Sequence, residues 1–252
     1  MLKKGLLIYE PRGRAGEYHP LAVNLYRGCE HGCIYCYAPS TLYIERPEFI
    51  KAAPRKDIIK RLGKDAPQAV EGRPEGNVLL SFTSDCYQPI NDIYDLTRQA
   101  IIILHRNSFN VTILTKGGKR VEQDFDLLGS RDEFAITLTF LDTEKSRQWE
   151  PKAAPPEERI ESLRKAHDRG IYTWVSLEPV IEPEESLEII RQTHAFVDLF
   201  KVGKLNYSEK LPEPFRTQVK DNDWHKFATD AIVALKQYGC QYYIKKDLRG
   251  YL

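Results

Sequence analysis

Six apolar runs of strand length recur along the chain at regular intervals, over residues 21–26, 77–83, 110–115, 134–140, 172–177 and 199–204, with a seventh candidate at 241–245. They are rich in β-branched and aromatic residues, as strands buried on both faces are. Between them apolar residues return at helical spacing. The segment 155–169 opens on Pro-Pro-Glu-Glu and stops at Gly170 after basic residues, and 92–106 and 221–238 are further helices, the last ending before Gly239. Proline and acid at the start and glycine at the end are expected helix punctuation. Strand and helix therefore alternate about six times. Such a chain calls for an α/β fold with parallel strands and right-handed crossovers. Periodicity does not separate an open doubly wound sheet from a full or partial barrel. Either architecture gathers its chemistry at the carboxyl ends of the strands.

With 252 residues the chain has the length of one large domain, and a small βα barrel is of this size. Residues 1–20, dotted with Pro11, Gly13, Gly16 and Pro20, read as an N-terminal extension, and residues 21–252 as a single domain with a C-terminal αβ segment. The stretch 211–215 reads as a surface loop. Hydrophobic residues at 42% and charged residues at 29% exclude a wholly disordered or fibrous chain. Thirty-seven Lys and Arg against 36 Asp and Glu leave a net charge of +1, so no global basic field announces a nucleic-acid polymer, while a local basic groove stays compatible. The apolar stretch at residues 5–9 is too short for a signal peptide or a membrane span. A cytoplasmic protein with no membrane partner is the expectation.

Three of the five cysteines fall within eight residues, in Cys29-Glu30-His31-Gly32-Cys33-Ile34-Tyr35-Cys36. Crowding of this kind without a secretory signal points to metal or redox chemistry rather than a disulfide framework. A structural zinc site needs four ligands, and His31 or the distant Cys86 and Cys240 would have to complete it. None of these comes as a second paired knuckle. An iron–sulfur cube held by three cysteines leaves one iron open to a small molecule. Gly28 and Gly32 let the backbone curl round a bulky cluster.

At these residues the sequence resembles the radical S-adenosylmethionine (radical SAM) superfamily, whose signature is three cysteines at this spacing with an aromatic residue, here Tyr35, before the third. Within it, the chain is most similar to the spore photoproduct lyase-like subgroup. Tyr35 and Tyr37 flank Cys36, Thr83-Ser84-Asp85 ends the second strand, Thr115-Lys116 the third, and Glu150-Pro151 leads into a helix containing Arg159. The resemblance spans about residues 21–182. It implies a partial TIM-type (β/α)6 barrel, a [4Fe-4S] cluster on Cys29, Cys33 and Cys36, and reductive cleavage of S-adenosylmethionine to a 5′-deoxyadenosyl radical that abstracts hydrogen. It also implies that Ser84 and Lys116 hold the cofactor's amino-acid moiety, that Asp85 accepts from its ammonium, that Thr137 or Thr139 contacts the ribose, and that Tyr35 lies near the adenine. The partners implied are a flavodoxin or ferredoxin as reductant and a substrate whose leading class, by analogy, is a nucleic-acid base. A peptide or small metabolite is the alternative substrate, and a non-enzymatic zinc-binding interaction module is the alternative of a different class.

Bland readings stand beside these. Ser84 and Asp85 are common helix caps, and Lys116 precedes two glycines of a turn. Thr137 and Thr139 suit a strand on propensity alone. Glu178, closing the fifth strand, either meets the cofactor or substrate or pairs with a cation at the barrel mouth. Tyr37 relays a radical or packs. His31 is expected to be exposed. The lyase's hydrogen-donating cysteine lies two positions before the serine of its Thr-Ser-Asp segment, where this chain has Phe82; the nearby thiol is Cys86, a hydrogen donor or a buried residue.

Overall fold

A computed structural model of the chain describes residues 2, 5–219 and 222–252. Seven strands form one parallel sheet in sequential order: β1 (Leu21–Val23), β2 (Val78–Leu80), β3 (Val111–Thr115), β4 (Glu133–Thr137), β5 (Tyr172–Val180), β6 (Leu199–Lys204) and β7 (Gln241–Ile244). The register sets Leu21 beside Val78, Val78 beside Val111, Ile113 beside Phe134, and Val175 beside Phe200. Five longer helices, α1 (Ile58–Ala69), α2 (Leu96–Arg106), α3 (Pro156–Asp168), α4 (Pro183–Thr193) and α5 (Trp224–Gln237), lie in the crossovers, while the β3–β4 crossover carries a 3₁₀ segment, Gly118–Asp124. Sequential parallel strands with helices outside make the partial barrel that the resemblance implied.

Alternation along each strand explains the two faces. Leu21, Val23, Val78, Leu80, Val111, Ile113, Phe134 and Ile136 join Leu62, Ile101, Leu104, Leu163 and Leu235 in one apolar layer between sheet and helices. The intervening positions, among them Ser81, Lys116, Thr137 and Glu178, face the barrel interior, where four of them border a single cavity. The strands β2, β3, β4 and β5 thus each deliver an inward side chain to the same mouth.

The helix punctuation works as expected in two places. α3 begins at Pro156 with Glu157 and Glu158 in its first turn, and Gly170, at φ +76°, closes it by donating to His167 O at 2.8 Å. Asp223 caps α5 by accepting from Lys226 N at 2.9 Å; the expected first residue, Asp221, lies outside the described residues. The helix expected over 92–106 is broken at Asp95, whose φ is +49°. Asn91 Oδ1 there accepts from Thr97 N at 3.2 Å and Thr97 Oγ1 at 3.0 Å, replacing a backbone acceptor and ending one helix while starting the next.

Two sequence expectations change. Helices α1 and α4 fill crossovers for which the sequence reading names none. Segment 211–215 is not simply surface: Leu211 is buried, and the Phe215 ring packs edge-on against Trp149 at 4.7 Å between centres, in a second small apolar cluster. Among the described residues, no helix is long and apolar enough to cross a membrane.

Residues of the N-terminal extension run between the first and last strands. Tyr9 forms a backbone bridge with Ala22, and Glu17 Oε2 accepts from Tyr243 OH at 3.1 Å and Lys246 N at 3.0 Å. The extension therefore spans the open side of the barrel.

Candidate active site

The three cysteines sit on the loop that follows β1, and that loop is held from several directions. Gly28 has φ +80°, and a Cβ there would stand 2.3 Å from Phe49 O, so only glycine lets residues 45–52 press against the loop. Cys29 N donates to Phe49 O at 2.9 Å. Arg46 donates through Nη1 to Cys33 O and through Nη2 to Cys36 O, both at 3.0 Å. Ile34 N donates to Trp149 O at 2.8 Å. Gln88 accepts from Glu30 N at 2.8 Å and donates to Gly28 O at 3.3 Å.

All three thiols border one cavity of about 550 Å³ together with the strand-end residues Ser84, Lys116, Thr137 and Glu178. Burial pushes the Cys33 thiol up to about 12, against the pull of the Lys116 cation toward the thiolate. Thiolates at Cys33, which is buried, and at the half-buried Cys29 and Cys36 are costly unless positive charge compensates them, and a metal supplies it. Among the described residues, no three His, Cys, Asp or Glu side chains gather tightly enough for one metal ion.

Ser84 Oγ and Ser81 Oγ are buried and have no hydrogen-bond partner, and both residues border the cavity. The capping reading of Ser84 therefore finds no support. Burial alone would lower Lys116, but negative charge at Cys33 and Glu150 outweighs it and holds the amine above its usual value, a cation beside the thiols. Its Nζ stands 5.6 Å from the centre of the Tyr35 ring. Thr137 borders the cavity. Thr139 is turned away and donates to Glu150 Oε1 at 3.3 Å.

Tyr35 borders the cavity by its ring and hydrogen-bonds Glu150 through its phenol. Glu150 in turn pairs with Arg159 at 2.6 Å, both side chains fully buried. Arg159 also donates to Ala154 O at 2.6 Å and Thr137 O at 3.1 Å. This pair fastens the aromatic residue of the cysteine motif to β4 and α3.

Asp85 has both carboxylate oxygens engaged by the chain: Oδ1 accepts from Tyr87 N at 2.8 Å and Thr115 Oγ1 at 2.6 Å, and Oδ2 from Lys116 N at 2.7 Å. Glu178 pairs with Lys245 and accepts from Tyr18 OH, which matches the cation-pairing reading while keeping it on the cavity wall. Tyr37 is 39% exposed at the mouth, with its ring 6.1 Å from Phe82.

Two expectations are corrected by burial. Cys86 is fully buried, donates to Leu80 O at 3.1 Å and belongs to the apolar layer outside the barrel, so this candidate catalytic thiol does not reach the cavity. His31 is 1% exposed rather than exposed, because the Gln88 and Glu30 hydrogen bonds fold the loop back over it. Burial pushes its pKa down to about 4, leaving a neutral ring.

Tyr18, Arg12 and Lys245 border the cavity without having been singled out in the sequence. Lys245 follows the last strand, and the strand-end rule points to it. Tyr18 carries no local signal, since only the path of the extension brings it in.

A parallel β/α barrel with three thiols and a cation at its carboxyl-end mouth defines a cluster-bearing barrel enzyme. The pattern of the radical SAM superfamily matches residues 23–197, and the chain belongs to that superfamily. An uncharacterized protein of Methanocaldococcus jannaschii is 26% identical over 208 residues, covering 79% of this chain and 75% of the other. An uncharacterized protein of Acidianus two-tailed virus is 25% identical over 207 residues, covering 76% and 67%. Spore photoproduct lyase complexed with dinucleoside spore photoproduct shares the fold, with a TM-score of 0.69 at 14% identity over 97% of this chain and 80% of that one. Streptococcus suis SuiB bound to its precursor peptide SuiA gives 0.61 at 15% over 88% and 48%.

The family uses a [4Fe-4S] cluster and S-adenosylmethionine. The residues present fit both groups. Three cysteines of one loop on one cavity suit the cube, orphaned serine hydroxyls need polar partners, and Lys116 offers a cation to a carboxylate.

Proposed function

We propose that Cys29, Cys33 and Cys36 hold the cluster and that Ser84 and Lys116 hold the amino-acid end of S-adenosylmethionine, in an enzyme whose substrate is a nucleic-acid base. When bound, cluster and cofactor supply a 5′-deoxyadenosyl radical by one-electron reductive cleavage. The chain's own part is to bind, orient and exclude water. Arg46 fixes the cluster loop from outside, Glu150 fixes Tyr35 as a cavity wall for the adenine, and Thr137 faces the ribose. A ferredoxin or flavodoxin is the proposed electron donor.

The observation that carries the substrate class is the composition of the cavity's other border. Arg12, Lys204, Tyr37 and Tyr207 lie there, with Tyr207 51% exposed. Cations beside open aromatic faces suit phosphates and stacked bases. The lyase neighbour bound to a dinucleoside supports the same reading. Hydrogen return from a protein thiol outside the cluster loop is not supported, because Phe82 borders the cavity and Cys86 lies behind the sheet.

Fluorescence anisotropy with a labelled single-stranded oligonucleotide, at two salt concentrations, tests the substrate class. The expected result is salt-sensitive binding weakened in Arg12→Ala and Lys204→Ala. The peptide-bound SuiB neighbour supports a second reading; binding of peptides but not of the oligonucleotide would favour it.

A further inference from the structure

We infer that His31 binds the cofactor, its Nε2 accepting a hydrogen bond from the amino group of S-adenosylmethionine, with Asp85 as the residue that orients the ring. The inference rests on the reading of Cys29, Cys33 and Cys36 as the cluster ligands.

His31 lies between the first two of these cysteines, borders the same cavity, and is 1% exposed. Neither ring nitrogen has a hydrogen-bond partner. A buried imidazole always carries at least one donor or acceptor, and leaving both nitrogens unpaired costs stability. A partner supplied by a bound group removes that cost.

The tautomer follows from the neighbouring carboxylate. His31 Nδ1 stands 3.5 Å from Asp85 Oδ2. In the neutral ring a lone pair on Nδ1 would face that negative oxygen, so of the two tautomers the favoured one has its proton on Nδ1 and leaves Nε2 as an acceptor. Asp85 cannot turn away, because Tyr87 N, Thr115 Oγ1 and Lys116 N hold its two oxygens. The arrangement of a carboxylate behind one imidazole nitrogen, setting the use of the other, recurs around metal centres. An acceptor beside the thiols calls for a donor of the N–H class, and the amino group is the N–H donor of the cofactor's amino-acid end. Asp85 thus acts on the cofactor through His31.

The test compares the reconstituted wild-type protein with His31→Phe, His31→Gln and His31→Asn. Iron and sulfide are counted, and the dissociation constant for S-adenosylmethionine is read from the change it causes in the electron paramagnetic resonance spectrum of the reduced cluster. The glutamine amide places an acceptor near Nε2, the asparagine amide near Nδ1. The expected result is unchanged iron in all variants, an affinity about tenfold to a hundredfold weaker in the Phe and Asn variants, and partial recovery in the Gln variant. Iron loss in the Gln variant as well as the Phe variant would make His31 a ligand or a folding element and overturn the inference. Wild-type affinity in the Phe variant would also overturn it, leaving a packing role. A wild-type protein that takes up no cluster, or shows no spectral change with S-adenosylmethionine, would overturn the underlying reading instead.

Discussion

At the scale of single residues, Lys116 gives the most direct expectation. Its amine is the cation beside the thiols, and a charge-assisted hydrogen bond to a carboxylate contributes about 1.5–3 kcal/mol. Lys116→Met should therefore weaken S-adenosylmethionine binding by roughly tenfold or more, by the conversion of 1.4 kcal/mol per decade, with iron content unchanged. Equilibrium dialysis checks it. Cys86→Ala should leave the yield of 5′-deoxyadenosine at the wild-type level, because that thiol lies in the apolar layer; a changed yield without loss of fold would contradict that placement. That the cysteines and Lys116 meet at one cavity was legible in the sequence, because a local spacing and a strand end point to them. His31 was not, since its burial depends on Gln88 and Glu30 hydrogen bonds that no local pattern reveals. Thr139 was misdirected by a pattern that gives alternation but not which threonine faces the cavity. The strand ends at Thr137, and Thr139 meets Glu150 instead.

At the scale of elements, Asp132 joins the starts of neighbouring strands. It accepts from Val111 N at 2.8 Å and Gly129 N at 2.9 Å, and pairs with His105 of α2 at 3.0 Å. Burial alone would raise its pKa, but the His105 hydrogen bond and the two backbone donors outweigh burial and hold it below the usual carboxylate value. A depressed carboxylate contributes stability that is present above its unfolded pKa, near 4, and is lost as pH falls through the folded value. Asp132→Ala should cost about 1–3 kcal/mol at neutral pH by leaving the strand donors unpaired. Urea titrations at pH 7 and pH 3 should show the gap between variant and wild type narrowing in acid; a constant gap would contradict the linkage. Strand positions were legible because both faces are buried and the runs are β-branched. The break at Asp95 was not, because Asn91 creates it by offering a side-chain acceptor that periodicity does not register.

At the scale of the whole molecule, the N-terminal extension closes what the seven strands leave open. Glu17 reaches Tyr243 and Lys246, Tyr9 pairs with Ala22, and Tyr18 hydrogen-bonds Glu178 inside the barrel. Lys201 within the barrel donates to Tyr18 O at 2.7 Å, and burial pulls its pKa down to about 8. Removing residues 1–20 should lower the unfolding temperature and speed amide exchange in Leu21–Val23 and Gln241–Ile244 more than in Val111–Thr115. Uniform exchange would mean that the extension does not brace the open edge. The barrel class was legible from βα repetition plus the cysteine motif, whereas this closure joins residues more than 200 positions apart and leaves no trace in a local pattern.

The proposed role of the three cysteines is to carry a cluster that cleaves S-adenosylmethionine. Anaerobic reconstitution followed by metal analysis, reduction and incubation with S-adenosylmethionine measures it in one preparation. The expected result is a brown protein with about four irons per chain that releases 5′-deoxyadenosine, and a Cys33→Ala variant that releases none. A colourless protein holding one zinc, with no 5′-deoxyadenosine, would contradict it.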